Sequence, residues 1–106
     1  MTDGDKDIVT QIITMTFKPE NEQDFLELAK DVIEQVRANE PDTLTYVLTK
    51  HPGEPHTYVW IERYRHQQAL AAHGEASYLV HALQKLPDWW AKAPQLLSLE
   101  QLASAH

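Results

Sequence analysis

The chain has 106 residues, no cysteine and a formal net charge of -7 at pH 7. This length fits one domain with a single core, and the lack of cysteine excludes disulfides, thiol catalysis, iron–sulfur clusters and cysteine-based zinc sites. The excess of acids disfavours attraction to phosphate, so we expect no nucleic acid partner.

The N-terminal segment and the lengths of the apolar runs indicate the cellular location of the protein. Residues 1–7 are polar and acidic, which predicts a disordered tail rather than a signal peptide. No apolar run approaches the roughly 20 residues that span a membrane. We therefore expect a cytoplasmic protein with no membrane association, whose single domain covers residues 8–103.

The first half of this domain predicts a strand followed by a helix. Ile8–Phe17 is rich in Ile, Val and Thr and alternates between two faces, as a strand does. From about Asn21 to Asn39, apolar residues recur with the i, i+3, i+4, i+7 spacing of an amphipathic helix. Pro41 is expected to end it, because proline cannot continue a helix.

Two further strands follow this helix. The side chains of Thr43–Lys50 alternate between the two faces of a predicted strand, which places Thr43 and Thr45 on the same face. Residues 51–56 are rich in Pro and Gly and predict a hairpin loop. Tyr58–Tyr64 is the next strand, and its side chains also alternate between two faces. One of those faces carries Tyr58, Trp60, Glu62 and Tyr64.

The remaining chain predicts two short helices and a last strand. His66–His73 is an Ala-rich helix that Gly74 is expected to end, and Ser77–Lys85 forms the next helix. Pro87–Trp90 predicts a turn or a further helical turn, and the segment Gln95–Ala103 predicts a strand. The order β, α, β, β, α, β is that of an α+β, ferredoxin-like domain with an antiparallel sheet.

The strands also bear on assembly. Ile8–Phe17 and Tyr58–Tyr64 carry large apolar residues on both faces. The helices of one ferredoxin-like unit cover only one face of the sheet, and a large exposed apolar patch is unusual in a monomer. We therefore expect a homodimer that buries sheet against sheet.

Three segments carry a resemblance to a known family. They are Glu40–Tyr46 (Glu-Pro-Asp-Thr-Leu-Thr-Tyr), Tyr58–Tyr64 (Tyr-Val-Trp-Ile-Glu-Arg-Tyr) and Ala69–His73 (Ala-Leu-Ala-Ala-His), followed by Ser77. Together they resemble the antibiotic biosynthesis monooxygenase (ABM) family of dimeric α+β barrels. The resemblance covers about Ile8–Leu102 and implies the fold better than the reaction. Similar proteins include cofactor-independent monooxygenases, haem-degrading enzymes, and isomerase- or aldolase-like members.

Three positions disfavour the haem-degrading branch of that family. Its pattern has a tryptophan where this chain has His73, an iron-ligating histidine where it has Leu83, and an asparagine near Gln11. We expect no haem, and no metal, flavin or nucleotide either. Neither a set of converging metal ligands nor a Gly-rich phosphate loop is recognisable in the sequence.

His73 and Glu62 are the candidate catalytic residues. An imidazole ordinarily titrates near neutrality and can take a proton from a phenol, and the resemblance favours this role for His73. The alternative for His73 is a helix-end residue that caps carbonyl groups before Gly74. Glu62 is expected to orient the imidazole or to hydrogen-bond the substrate, unless it pairs with a neighbouring arginine.

Aromatic residues form the predicted substrate pocket. They are Tyr46, Tyr58, Trp60, Tyr64 and Tyr78. Aromatic walls with hydroxyl groups suit a phenolic ligand, whereas core packing alone is the other interpretation of the same residues.

These residues and the resemblance together predict an oxidoreductase, a cofactor-independent monooxygenase that oxidises an aromatic quinol or electron-rich phenol with O2. Two alternatives stay open at this point. One is an isomerase or lyase that acts on a small carbonyl compound, and the other is a non-catalytic dimeric module that binds a small ligand. A polar cavity beside His73 would favour the first alternative, and a collapsed cavity the second.

Overall fold

A computed structural model describes residues 7–105 of the chain. Its elements in chain order are β1 (Val9–Thr16), a 3₁₀ turn (Pro19–Asn21), α1 (Glu22–Asn39), β2 (Thr43–Lys50), β3 (Thr57–Tyr64), α2 (Gln67–Glu75), α3 (Ser77–Trp89) and β4 (Gln95–Glu100). The tail predicted for residues 1–7 lies outside the described residues, apart from Asp7. The predicted α+β class and order of elements are confirmed.

The four strands form one antiparallel sheet in the order β2-β3-β1-β4. The helices pack on one face of this sheet, as in a ferredoxin-like domain. The core on that face includes Phe17 and Phe25, whose rings stack with centroids 4.0 Å apart. The opposite face of the sheet has no helix among the described residues.

Strand β3 shows the division between the two faces most clearly. Tyr58, Trp60, Glu62 and Tyr64 are each at most 6% exposed. Their neighbours Val59, Ile61 and Arg63 point to the face without helices and are only partly buried. The period of two predicted this arrangement, because successive strand side chains point to opposite faces.

Gly74 does not end the second helix as the sequence predicted. Helix α2 continues through Gly74 to Glu75, and the chain turns at Ala76, whose backbone is extended at φ -62° and ψ 135°. An interior glycine costs a helix only about 1 kcal/mol relative to alanine, so packing of Ala69 and His73 against the rest of the protein outweighs it.

Helix α3 includes the further helical turn that the sequence left open at Pro87–Trp90, whereas strand β4 ends at a different residue from that predicted. Helix α3 runs past Lys85 and through Pro87 to Trp89. Leu86 and Trp89 in the last turn pack against the core. This packing compensates for the hydrogen bond that is lost because proline has no backbone N–H. Strand β4 ends at Glu100 rather than at Ala103, because its pairing with β1 stops there.

A bulge in β2 changes the predicted facing of one threonine. Thr43 lies opposite Tyr64 and Thr45 lies opposite Arg63, so Leu44 is an extra residue in the ladder. A bulge of this kind re-aims neighbouring side chains. Thr43 therefore shares the helix-covered face with Tyr64, and not the face of Thr45 as the alternation predicted.

Two leucines on α3 test this packing. Leu86 is 6% exposed and Leu83 is 46% exposed. We expect Leu86→Ala to lower the free energy of unfolding by about 2–5 kcal/mol because it opens a cavity in the core. Leu83→Ala, one turn away on the same helix, should cost less than about 1 kcal/mol. Urea titration of both variants measures the difference, and equal losses would mean that another face of α3 meets the sheet.

Candidate active site

A cavity of about 200 Å³ lies between the sheet and the helices. Its floor comes from β1, β2 and β3, and its walls come from all three helices. Most of the lining is aliphatic or aromatic, and no lysine or arginine contributes to it. The side chains that bring oxygen or imidazole groups are Gln11, Tyr46, Glu62 and His73. The cavity is therefore an apolar chamber with a few polar groups.

His73 lies on α2 and is 4% exposed. Its Nδ1 atom is 2.9 and 3.0 Å from the two carboxylate oxygens of Glu40. Its ring packs against the rings of Tyr46 and Tyr64, with centroid distances of 5.0 and 5.4 Å. The side chain is thus held by a carboxylate and two aromatic rings, and does not cap the end of the helix.

The contact with Glu40 fixes the tautomer of the neutral imidazole. An ionised carboxylate can only accept hydrogen bonds, so Nδ1 of His73 must carry the proton and donate it. The other ring nitrogen, Nε2, is then free to accept a proton. This is the arrangement that a general base requires.

Glu40 is the residue that follows the last turn of α1, where its N–H bonds the carbonyl of Val36 at 2.9 Å. Its carboxylate accepts hydrogen bonds from Thr43 Oγ1 at 2.7 Å, from the Tyr78 hydroxyl and from His73. Desolvation by itself would raise the pKa of Glu40, but these donors outweigh it and lower the pKa below the usual value. Glu40 is therefore ionised at neutral pH.

Glu62 has a different environment. It is 4% exposed, and its Oε1 atom accepts a hydrogen bond from the Tyr64 hydroxyl at 2.6 Å. Burial raises the pKa of Glu62 and the nearby Glu40 charge adds to the rise, while the bond from Tyr64 and the proximity of His73 only partly oppose it. The structure places Glu62 in the cavity floor, but Glu40 and not Glu62 contacts the imidazole.

The five predicted pocket aromatics take four different positions. Tyr46 and Trp60 line the cavity. Tyr64 is fully buried behind it, and Tyr78 bonds Glu40 from the side. Tyr58 lies elsewhere in the core, where its hydroxyl donates to Glu22 at 3.0 Å. Tyr58, Tyr64 and Tyr78 are therefore not among the cavity-lining residues.

Two residues of the site were not singled out from the sequence. Glu40 belongs to the Glu40–Tyr46 segment that carried the resemblance, but its role depends on the distant contact with His73. Gln11 was considered only for its place in the haem-degrading pattern. All three positions of that comparison, Gln11, His73 and Leu83, line the cavity.

His51, His56, His66 and His81 are not among the residues that line this cavity. His51 accepts hydrogen bonds from the N–H groups of Gly53 and Glu54 within the loop. His56 has a positive φ of 59°, and its Nδ1 lies 2.7 Å from Glu22. Within residues 7–105, no three His, Asp or Glu side chains are grouped to hold a metal ion. No helix in this part of the chain is long and apolar enough to cross a membrane.

Comparisons with known proteins agree with this fold. Residues 8–85 match the sequence model of the family described as antibiotic biosynthesis monooxygenase. This match covers most of the chain, so the protein belongs to the ABM family.

Individual relatives support this assignment. The chain is 31% identical over 81 residues to "Putative monooxygenase YcnE" of Bacillus subtilis (strain 168), covering 76% of this chain and 77% of that protein. It is 28% identical over 79 residues to "Uncharacterized protein sll1783" of Synechocystis sp., covering 74% of this chain but only 53%, about half, of that protein.

Among solved structures, a crystal structure titled as a putative antibiotic biosynthesis monooxygenase from Caulobacter crescentus CB15 superposes with a TM-score of 0.88. The two sequences are 28% identical, and the alignment covers 92% of each chain. The fold of this protein is therefore that of the ABM proteins.

Glu40 and Glu62 predict opposite effects of pH on stability, because their pKa values are shifted in opposite directions. The lowered pKa of Glu40 means that its stabilising contribution is present above the ordinary value of 4.5 and is lost as the pH falls through the lower folded value. Glu40→Gln should therefore lower the free energy of unfolding by about 1–3 kcal/mol at pH 7. The deficit should shrink below pH 4.5.

Glu62→Gln is the matched comparison. Because the folded pKa of Glu62 is raised, its favourable contribution is present below 4.5 and is lost as the pH rises through the folded value. Glu62→Gln keeps an acceptor for Tyr64 and should be more stable than the wild type at pH 7–8, with the advantage disappearing in acid. Urea unfolding at a series of pH values tests both, and pH trends of the same sign for the two variants would contradict the assignment.

Proposed function

We propose that this protein is a cofactor-independent monooxygenase that oxidises an aromatic quinol or electron-rich phenol with O2. The observation that carries the proposal is the position of His73 at an apolar cavity, with its Nδ1 atom within hydrogen-bond distance of the Glu40 carboxylate. The names of the ABM relatives support a monooxygenase reaction.

The first step is the removal of a proton from the substrate. Nε2 of His73 accepts the proton of a ring hydroxyl, and the ionised Glu40 stabilises the imidazolium that forms. The apolar lining disfavours a localised negative charge. It disfavours a phenolate less strongly when the charge is delocalised over the ring. The ring that results is electron-rich and reacts readily with O2.

The oxidation then needs no external reductant. The phenolate gives one electron to O2, and the resulting superoxide and ring radical combine to a carbon-bound hydroperoxide. Cleavage of the O–O bond leaves one oxygen atom on the ring as a carbonyl and releases the other as water. The substrate supplies both the electrons and the protons, so a phenol leaves as a quinone and a quinol as a hydroxylated quinone.

Other residues of the site bind and orient the substrate in this mechanism. Tyr46 and Trp60 provide aromatic surface for the ring. Glu62, whose pKa is raised by burial, hydrogen-bonds a substrate oxygen. Tyr78 and Thr43 act indirectly, because they hold the carboxylate of Glu40.

The cavity supports this proposal over the two alternatives. An isomerase or lyase for a small carbonyl compound would be favoured by a polar cavity, and this lining is mostly hydrocarbon. A collapsed cavity would favour a non-catalytic module, whereas this cavity is open and has a volume of about 200 Å³. An engineered protein cavity of about 150 Å³ holds a benzene molecule, so a single substituted ring fits here.

We also propose that the protein is a homodimer in which the faces of the two sheets without helices pack together. One row of residues crosses that face from strand to strand, in the order Val47, Ile61, Ile12 and Leu97. Val47 is 45% exposed and Leu97 is 57% exposed in the single chain. A second copy would present the same apolar row and bury both.

His73→Gln tests the catalytic role of the base. The amide can still donate to Glu40 but cannot take a proton from the substrate. We expect O2 uptake with a quinol, measured in the presence of a chelator, to fall by about 10²- to 10⁴-fold. A phenol that is already ionised at the assay pH should be affected much less.

His56→Gln is the matched control, because His56 also pairs with a glutamate but lies outside the cavity lining. The rate of O2 uptake by His56→Gln should stay within about twofold of the wild-type rate. Equal losses in the two variants, or an unchanged rate in His73→Gln, would refute His73 as the base. Melting curves show whether each variant is folded. His73→Ala is less informative, because a 4% exposed side chain is lost with it.

Two valine substitutions test the dimer. Val47 on the sheet and Val80 on α3 are 45% and 43% exposed. Val47→Lys should shift light scattering at micromolar concentration toward the mass of a monomer, because it places a charge in the apolar interface. Val80→Lys should leave the dimer intact. A monomeric wild-type protein, or a dimer in which only Val80→Lys dissociates, would overturn this assembly.

A further inference from the structure

The floor of the cavity has a polar end and an apolar end. Pairing of the strands aligns Tyr46, Glu62 and Gln11 in one row across β2, β3 and β1. The next row along the strands contributes Trp60 and Ile13 to the floor. Polar and apolar lining are therefore separated along the strand direction.

His73 stands over the polar end. Its ring is 5.0 Å from that of Tyr46 and 5.4 Å from that of Tyr64, whose hydroxyl bonds Glu62. The apolar end is covered by other side chains, among them Phe25, whose ring centroid is 6.2 Å from that of Trp60. The groups that can bind oxygen atoms are thus concentrated at one end of the cavity.

These polar groups have unused hydrogen-bonding capacity. Within residues 7–105, the side chain of Gln11 and the hydroxyl of Tyr46 have no hydrogen-bond partner. Glu62 uses one oxygen for Tyr64 and leaves the other without a partner in the same part of the chain. Within residues 7–105, Trp90 Nε1 is the only fully buried side-chain polar atom without a partner, so the free atoms of this row are open to the cavity. A ligand with several oxygen atoms would hydrogen-bond them there.

We propose that the row Gln11, Tyr46 and Glu62 binds two adjacent oxygen atoms on one edge of the substrate ring, so that the preferred ligand is of the catechol type. The remaining edge of the ring, with any alkyl substituent, lies on Trp60 and Ile13. The choice of a phenol as ligand rests on the proposed function, whereas the arrangement of the oxygens rests on the two rows of the floor.

The spacing of the rows explains why opposite oxygens fit less well. Successive residues on one face of a strand are about 6.8 Å apart, so a ring whose first oxygen contacts the polar row reaches the apolar row. A second hydroxyl opposite the first would lie against Trp60 or Ile13 without a partner. We expect this to weaken binding about 5- to 100-fold relative to adjacent hydroxyls.

Catechol and hydroquinone are suitable probes because they are isomers. We expect catechol to bind at least 5-fold more tightly when both are titrated anaerobically by calorimetry. Gln11→Leu should reduce this preference about threefold or more, whereas Gln23→Leu on the surface of α1 should leave it unchanged. Glu62→Gln should retain it, because the amide accepts from Tyr64 and donates to the ligand, and Glu62→Leu should lose it.

The outcomes separate this proposal from the proposed function. Equal affinities for the two isomers, no binding of either, or an unchanged preference in folded Gln11→Leu would overturn it. A preference for catechol without O2 uptake would leave the recognition standing and refute the oxygenase. Rapid O2 uptake with a preference for hydroquinone would refute the recognition of adjacent oxygens and leave the oxygenase standing.

Discussion

The contact between the buried imidazole of His73 and the carboxylate of Glu40 connects most elements of this protein. Glu40 follows α1, Thr43 begins β2, His73 lies on α2 and Tyr78 lies on α3, and all four side chains meet through hydrogen bonds. A carboxylate with little solvent access is stable only if such donors replace water. The ends of these elements are therefore positioned by the same group that orients the imidazole.

The site separates two carboxylates by their surroundings. Glu40 has three hydrogen-bond donors and stays ionised, whereas Glu62 has one and its pKa is raised by burial. Glu40 can stabilise a positive charge on His73, whereas Glu62 takes up a proton more readily than an exposed glutamate. Pairs of acids whose environments push their pKa values apart are a recurring way to obtain both kinds of chemistry in one pocket.

The two faces of the sheet are covered in different ways. One face forms the floor of the cavity and the core, in which β3 contributes a nearly continuous row of buried side chains. The other face is apolar in the row from Val47 to Leu97 but has no covering helix among the described residues. The architecture of a single chain thus accounts for the chamber, and the proposed second copy accounts for the opposite face.

Local periodicity in the sequence determined the elements and most of their facing. The period of two in Tyr58–Tyr64 predicted which side chains share a face of the sheet, and the 3.6-residue period predicted α1. Helix ends were less predictable. Gly74 and Pro87 are local breaking signals that packing outweighed, and packing energy is not visible in a local pattern.

The site required the tertiary structure because its contacts join residues far apart in the chain. The sequence indicated His73 and Glu62, and the structure places both at one cavity. It could not show that Glu40, 33 positions before His73, holds the imidazole. Nor could alternation reveal the bulge at Leu44 that directs Thr43 to the same carboxylate. Such contacts depend on strand register and on how helices lie across the sheet, and only the folded chain fixes these.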